Sequence, residues 1–405
     1  MLLSNTMNWG TIQDALCAEP AFRLKQVRKA IFVDLLEDWE AVSVLPKTLR
    51  EKLTAECPLT IQAEQLVSAD GNTVKALLTL EDGKRIETVL MRHGDRNTVC
   101  VSTLVGCPMG CTFCATGTMG MVRKLTADEI VEQVLFFARY LKGVDTRSTD
   151  VVPLRDRSKG VDTNGTPGFV MSKALTKQCR TVAVSLQDNN PGSPPTELPS
   201  KRGEQSGERV GSIVFMGMGE PFLNYEAVMD AVRFLHDKDT FNIGARHISI
   251  STCGILDGIK RLADEDLPVN LAISLHASND ATRAQLMPIA RTYPMSELLA
   301  TVDEYIAKTK RKVMFEHLLV EGVNDTDEHA RELALLMRRP LYMVNLISYN
   351  PTGKYTATSE TRINSFRDIL KKAGVEVTIR YRFGRDIEGA CGQLAVDTTR
   401  PSVEQ

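Results

Sequence analysis

The sequence predicts an α/β protein: a partial (β/α)6 barrel with an N-terminal helical head and a small β-hairpin extension. Three observations predict it, and they follow one another along the chain. From Thr11 to Leu53 the apolar residues Ile12, Leu16, Phe22, Leu24, Val27, Ile31, Val33, Leu36 and Trp39 recur mostly at three and four residues among charges, which is helical spacing. Residues 1–57 are read as the head. From Leu59 to Met91 the pattern becomes short alternating runs, Thr73 to Leu80 and Arg85 to Leu90, set off by Asp70-Gly71-Asn72 and Asp82-Gly83. Those are hairpin signals, and they place a β extension at 58–96.

After Asn97 strand-like runs alternate with amphipathic helical ones. The strands are expected near Val99 to Leu104, Ser212 to Met216, His247 to Ser251, Val269 to Leu275, Val313 to Leu319, Met343 to Ser348 and Val375 to Arg380. Helices are expected between them at Ala127 to Leu141, Tyr225 to His236, Met295 to Lys308, Asp327 to Met337 and Thr361 to Lys372. Repeated βα units mean parallel strands with helical crossovers, so 97–390 is read as the barrel, with its site at the strands' C-terminal ends. Residues 391–405 form a C-terminal segment and tail. One stretch, 144–209, breaks the rhythm: it has Pro153, Pro167, Pro191, Pro194, Pro195 and Pro199 and no clear periodicity. Its composition predicts a disordered surface insertion after the first barrel helix.

Composition narrows the function. In 405 residues, 49 Lys and Arg face 51 Asp and Glu, a net charge of -2, so a chain-wide basic binder of polyanions is excluded and any nucleic-acid contact must be local. Apolar runs fall short of a membrane span, and the N-terminus lacks a basic region followed by an apolar one, so a cytoplasmic protein without membrane contact is expected. Nine cysteines are too sparse for a disulfide scaffold.

Three of them are grouped as ligands: Gly106-Cys107-Pro-Met-Gly-Cys111-Thr-Phe-Cys114, with spacings of four and three. Three thiolates on a cubane iron–sulfur cluster leave one iron open to a substrate. A structural zinc site needs four closed ligands, and the nearest extra candidates, Cys100 and His93, fit no common zinc spacing.

This C-x3-C-x2-C motif after the first barrel strand resembles the radical S-adenosylmethionine (SAM) superfamily. Further motifs make the chain similar to one family within it, the adenine methyltransferases of 23S ribosomal RNA, some of which also act on transfer RNA. They are Phe215-Met-Gly-Met-Gly-Glu-Pro221, Ser251-Thr-Cys-Gly254, Ala272 to Ser278, Gly322-Val-Asn-Asp325, Tyr349-Asn-Pro351 and Asp386 to Leu394. The resemblance implies a radical SAM barrel in which Cys107, Cys111 and Cys114 hold a 4Fe-4S cluster. It further implies that Gly219, Glu220, Ser251, Ser274, Leu275, His276 and Asn350 bind SAM. Cys391 corresponds to a cysteine that is methylated by one SAM and, after hydrogen abstraction by a radical made from a second, bonds to the adenine carbon. Cys100 corresponds to the thiol that resolves the adduct as a disulfide, and Glu87 to the base that removes the ring proton. A one-electron reductant of flavodoxin or ferredoxin type and a monomeric enzyme are expected.

Glu220-Pro221 favours carbon 2 of adenine over carbon 8, whereas Phe383-Gly384 departs from the Arg-Gly common in bacterial carbon-2 enzymes. Alternatives are a carbon-8 enzyme and a radical enzyme acting on a protein. Of the basic clusters, Arg92 to Arg96, Arg123-Lys124, Lys308 to Lys312, Arg338-Arg339 and Arg380 to Arg385, the last adjoins Cys391 and mixes cations with aromatics, which suits an RNA backbone and an unstacked base. Cys17, Cys57, Cys179 and Cys253 are read as plain thiols, Cys253 standing where many relatives have serine.

Overall fold

The structure, a computed structural model, describes residues 7–143, 209–380 and 384–395. The expected insertion lies outside these apart from Arg209, and so do Tyr381, Arg382 and Phe383 of the basic cluster. All described residues fall in one unit of the chain.

The head is α1 (Trp9–Ala15), α2 (Ala21–Phe32) and α3 (Lys47–Glu56). Asn8 starts α1 by accepting the Thr11 N–H at 3.0 Å. The apolar face then packs on the barrel: Trp9, Phe32 and Phe234 meet edge to face, with the Phe32 and Phe234 centroids 4.7 Å apart. Arg28 reinforces this contact through Asp237 at 2.9 Å. Head and barrel therefore share one continuous apolar core.

A ten-stranded sheet runs in the order β1-β2-β3-β4-β7-β8-β9-β10-β11-β12. Strands β1 (Ala63–Val67), β2 (Thr73–Thr79), β3 (Arg85–His93) and β4 (Arg96–Cys100) form an antiparallel meander. Its first turn follows from Asp70, which accepts the Asn72 N–H at 3.0 Å, and from Gly71 at φ 70°. From β4 onward every pairing is parallel, through β7 (Ser212–Phe215), β8 (Ile248–Thr252), β9 (Asn270–Ser274), β10 (Val313–Leu319), β11 (Tyr342–Ser348) and β12 (Glu376–Ile379). Crossovers carry α4 (Ala127–Leu141), α5 (Tyr225–His236), α6 (Leu256–Leu262), α7 (Asp280–Leu286), α8 (Met295–Thr309), α9 (Asp327–Met337) and α10 (Glu360–Lys372). Strands β1 and β12 remain as edges, so the barrel is partial as expected. Among the described residues no helix is long and apolar enough to cross a membrane.

The first barrel strand is shorter than its apolar run. The ladder stops at Cys100 because Ser102 is drawn out of it: its N–H donates to Gln133 Oε1 at 2.7 Å and its hydroxyl to the Glu87 carbonyl at 2.6 Å. The chain then turns, and β5 (Leu104–Cys107) pairs with β6 (Gly120–Lys124) in a separate two-stranded sheet. One run of apolar residues thus serves two strands, and each ends in a cysteine that the sequence singles out.

Candidate active site

Cys107 ends β5, and the loop after it folds back tightly. The Cys114 N–H donates to the Cys111 carbonyl at 3.1 Å, and a side chain at Gly117 would put its Cβ 2.9 Å from that same oxygen. The Thr112 N–H donates to the Leu286 carbonyl at 2.9 Å, which fixes the loop to α7. Cys107, Cys111 and Cys114 line a cavity of about 130 Å³ together with Gly217, Gly219, Glu220, Ser251, Cys253, Ser274, His276 and Cys391. Burial, with the thiol of Cys114 and the carboxyl of Glu220 adding to it, pushes Cys107 up to about 11. Burial and the other two thiols push Cys111 up as well. Crowded thiols of this kind hold their protons until a cation takes the protons' place, so the donor set fits an iron–sulfur group. Among the described residues, no three His, Cys, Asp or Glu side chains close up as they would around a single metal ion.

The strand ends supply the other wall. Gly219 has φ 105°, and an added Cβ would lie 2.6 Å from Leu104 Cγ and 2.8 Å from Leu104 N. Close packing on β5 therefore requires glycine here, independently of any ligand. We expect Gly219→Ala to cost about 3 kcal/mol, read as a Tm lowered by several degrees in a thermal melt. Glu220 is 4% exposed and accepts the Cys253 N–H at 2.7 Å and the Phe222 N–H at 3.0 Å; burial raises its pKa and these donors oppose the rise. The Ser251 and Ser274 hydroxyls are 3.4 Å apart. His276 holds a left-handed φ of 57°, accepts the Leu318 N–H on Nδ1 at 3.1 Å and meets Phe113 edge-on at 4.8 Å. Leu275 is fully buried outside the cavity lining, so only its backbone could serve a ligand there.

Burial lowers both His276 and His317 from 6.5 to about 3. Both rings are then neutral in the folded chain but take protons in the unfolded chain below pH 6.5, so their stabilising contribution is present above that value and is lost as the pH falls toward 3. Buried carboxyls such as Glu220 and Glu316, whose values are raised, act in the opposite sense. A His317→Leu variant isolates the histidine share: its Tm should fall less than the wild type's between about pH 7 and about pH 5.

A second, smaller cavity adjoins the first and is lined by Cys100, Cys391, Asn350, Arg380, Val89 and Met91 among others. Cys100, at the end of β4, is pushed up to about 12 by burial first and by Cys391 second, while Arg380 pulls it down. Cys391 is exposed at the cavity mouth, so the crowding that pushes its thiol up is partly relieved by water, and Arg380 opposes the rise further. Asn350 is buried, donates through Nδ2 to the Cys391 carbonyl at 3.2 Å and keeps Oδ1 without a partner. That orphaned acceptor fits a ligand donor.

Glu87 departs from the ordinary expectation of a solvent-facing strand glutamate. It is 6% exposed, lies 3.2 Å from Lys75 on β2 and accepts the Ala395 N–H at 2.9 Å. Lys75 donates to the Glu388 carbonyl at 3.3 Å, so the pair grips the chain on both sides of Cys391. Burial raises the Glu87 pKa, and Lys75 opposes this. Sequence reasoning missed Lys75, whose only signal is that it lies two residues out of direct register from Glu87 in the hairpin, on the same face, Lys75 facing Val89 and Glu87 facing Leu77. We expect Lys75→Met to speed hydrogen exchange over 388–395 by about tenfold or more while α4 stays protected; uniform exchange changes would contradict this grip.

Residues 180–334 match the family described as the radical SAM superfamily. A probable dual-specificity RNA methyltransferase RlmN from Roseiflexus sp. (strain RS-1) is 42% identical over 393 residues, covering 93% of this chain and 91% of that protein. The chain belongs to the RlmN family of radical SAM RNA methyltransferases. The ribosomal RNA large subunit methyltransferase N of Nitrosopumilus maritimus is 38% identical, with 93% of each chain covered. A crystal structure of a radical SAM methyltransferase from Sphaerobacter thermophilus matches with a TM-score of 0.77 at 39% identity, over 97% of this chain and 99% of that one.

RlmN-family membership brings a 4Fe-4S cluster and SAM as cofactors. The two cavities adjoin, sharing Arg380 and Cys391 in their linings.

Proposed function

We propose that this enzyme methylates carbon 2 of an adenosine in large-subunit ribosomal RNA through an S-methyl group carried on Cys391. The observation that carries the reading is the placement of Cys100 and Cys391 on one cavity that continues, through Cys391 and Arg380, into the pocket of Cys107, Cys111 and Cys114. Transfer RNA is a second substrate class, in keeping with the dual-specificity names of the relatives. The enzyme works as a cytoplasmic monomer fed by a flavodoxin- or ferredoxin-type reductant.

When bound, the cluster and SAM supply a methyl group for polar transfer and a one-electron hydrogen abstraction. Carbon 2 of adenine is electron-poor and offers no nucleophile to a sulfonium, so the chain itself must carry the carbon. Cys107, Cys111 and Cys114 hold the cluster, while Gly219, Glu220, Ser251, Ser274, the Leu275 backbone, His276 and Asn350 hold SAM. Glu220 is buried yet keeps acceptor capacity for an ammonium group, and His276, neutral and accepting on Nδ1, has Nε2–H to donate. The Cys391 sulfur takes the methyl; the same carbon, once a hydrogen atom has been abstracted from it, bonds to carbon 2, and the adduct would give back one electron as its ring proton leaves. Glu87 receives the ring proton; its burial gives it the affinity for one. The Cys100 thiolate attacks the Cys391 sulfur, a disulfide forms, and the carbon–sulfur bond breaks with its electron pair going to the transferred carbon, which takes up a proton and stays on the ring as a methyl.

The test is mass spectrometry of the Cys391 peptide from anaerobically purified, cluster-reconstituted protein given SAM. One added methyl on Cys391, absent from Cys391→Ala, is the expected result. An unmodified Cys391 despite SAM cleavage would sink the reading.

A further inference from the structure

Two arginines of the described chain are almost wholly buried, and they differ in what answers their charge. Arg139, 1% exposed, has Glu37 at 3.8 Å. Arg283, on α7, is 0% exposed, and among the described residues no carboxylate lies within ion-pair distance of it. Its Nη2 donates to the Cys253 carbonyl at 2.8 Å and its Nη1 to the Tyr293 carbonyl at 3.2 Å, while Nε is buried without a partner. Asp280, one helical turn back, uses Oδ1 to accept the Met295 N–H at 2.8 Å. Gly254 makes the room: an added Cβ there would sit 3.2 Å from Arg283 Nη2.

A buried guanidinium without a counter-ion is costly, so its retention needs an anion the protein chain does not supply. Asp280 is the nearest carboxylate to act on it, without reaching ion-pair distance. The Nη2 contact of Arg283 holds the Cys253 carbonyl, and Cys253 shares the wall of the cofactor cavity with Cys107, Cys111 and Cys114. The loop that bears Cys111 is fastened to α7 through the Thr112 N–H and the Leu286 carbonyl, so the distance between guanidinium and loop is fixed.

We propose that Arg283 is the countercharge of the iron–sulfur site, a positioning residue that stabilises the anionic cluster and favours its one-electron reduction. This rests on the cluster assignment proposed above. Three thiolates leave a 4Fe-4S group negative, and an added electron makes it more so. A fixed cation in a site shielded from water therefore favours the reduced state over the oxidised one.

The experiment is a redox titration of anaerobically reconstituted full-length protein, followed by the electron paramagnetic resonance signal of the reduced cluster, in wild type, Arg283→Gln and Arg283→Lys. At the wild-type midpoint potential, the reduced-to-oxidised ratio in Arg283→Gln should fall about tenfold, or about 59 mV for a one-electron couple. Arg283→Lys, which keeps the charge, should stay close to wild type. An unchanged ratio in Arg283→Gln, or equal falls in both variants, overturns the proposal, because hydrogen bonds and not charge would then be at issue. If Arg283→Gln retains no cluster, thermal melts of the cluster-free proteins decide. Without the cluster the charge is a liability, so Arg283→Gln should melt no lower than wild type, and a lower Tm overturns the proposal. A wild-type protein that binds no cluster would instead overturn the assignment on which the proposal rests.

Discussion

Cys100→Ser should leave RNA covalently attached to the protein at Cys391. The serine hydroxyl keeps the size and burial of the Cys100 side chain but cannot attack a sulfur to form a disulfide. Every step up to the carbon–sulfur adduct uses other residues, so the first turnover proceeds and then stalls. We expect multiple-turnover methylation to fall by roughly 10³-fold, the scale seen when an obligatory covalent partner is removed. A band of protein cross-linked to RNA should accumulate with time, sensitive to nuclease and absent from the Cys100→Ser, Cys391→Ala double variant. The double variant separates the adduct from nonspecific capture, since it keeps the basic surface and loses only the carrier sulfur. Free 2-methyladenosine released by Cys100→Ser at the wild-type rate would show that another group resolves the adduct. The buried Cys253 thiol, in the adjoining cavity, would be the next to test.

Much of the barrel was legible because its signals are local and long. Asp327–Met337 and Ala127–Leu141 are helices of 11 and 15 residues whose apolar spacing and caps agree, Thr126 and Glu129 forming a reciprocal box at the start of the second. The seven-residue helices at Leu256–Leu262 and Asp280–Leu286 span two turns, too short for periodicity to stand out. The strand expected at Val99 to Leu104 runs across the observed break because nothing in an apolar run reveals where a buried glutamine will pull a serine out of the ladder. The site divides in the same way. Contiguous motifs carry the candidate site residues in the sequence itself, whereas Lys75, Glu316 and Arg283 contact partners 12, 29 and 30 residues away, on other elements. Pairing of that kind is decided by tertiary packing and, apart from the hairpin register that sets Lys75 near Glu87, leaves no mark in a single sequence.

Cys111→Ser should abolish SAM cleavage, and the same substitution at Cys253 should not. The contrast is worth drawing because Cys253, like Cys391, is a further thiol on the wall of the cofactor cavity, and it lies beside Cys111 with its N–H on Glu220. If the cluster used Cys253 along with Cys107, Cys111 and Cys114 it would be coordinatively closed, and no iron would remain to bind a substrate. In that case Cys111→Ser and Cys253→Ser would lose iron alike, and neither cleavage of SAM nor methylation of Cys391 would occur even in the wild type. With three ligands the outcomes separate. Cys111→Ser loses most of its iron and its cleavage activity falls by about 10³-fold or more, since an obligatory group is gone. Cys253→Ser keeps its iron, because the backbone N–H that steadies Glu220 survives and a serine hydroxyl replaces the thiol beside it. Iron content, the signal of the reduced cluster and 5′-deoxyadenosine release, measured on both variants in parallel, therefore count the ligands and test the open iron in one experiment.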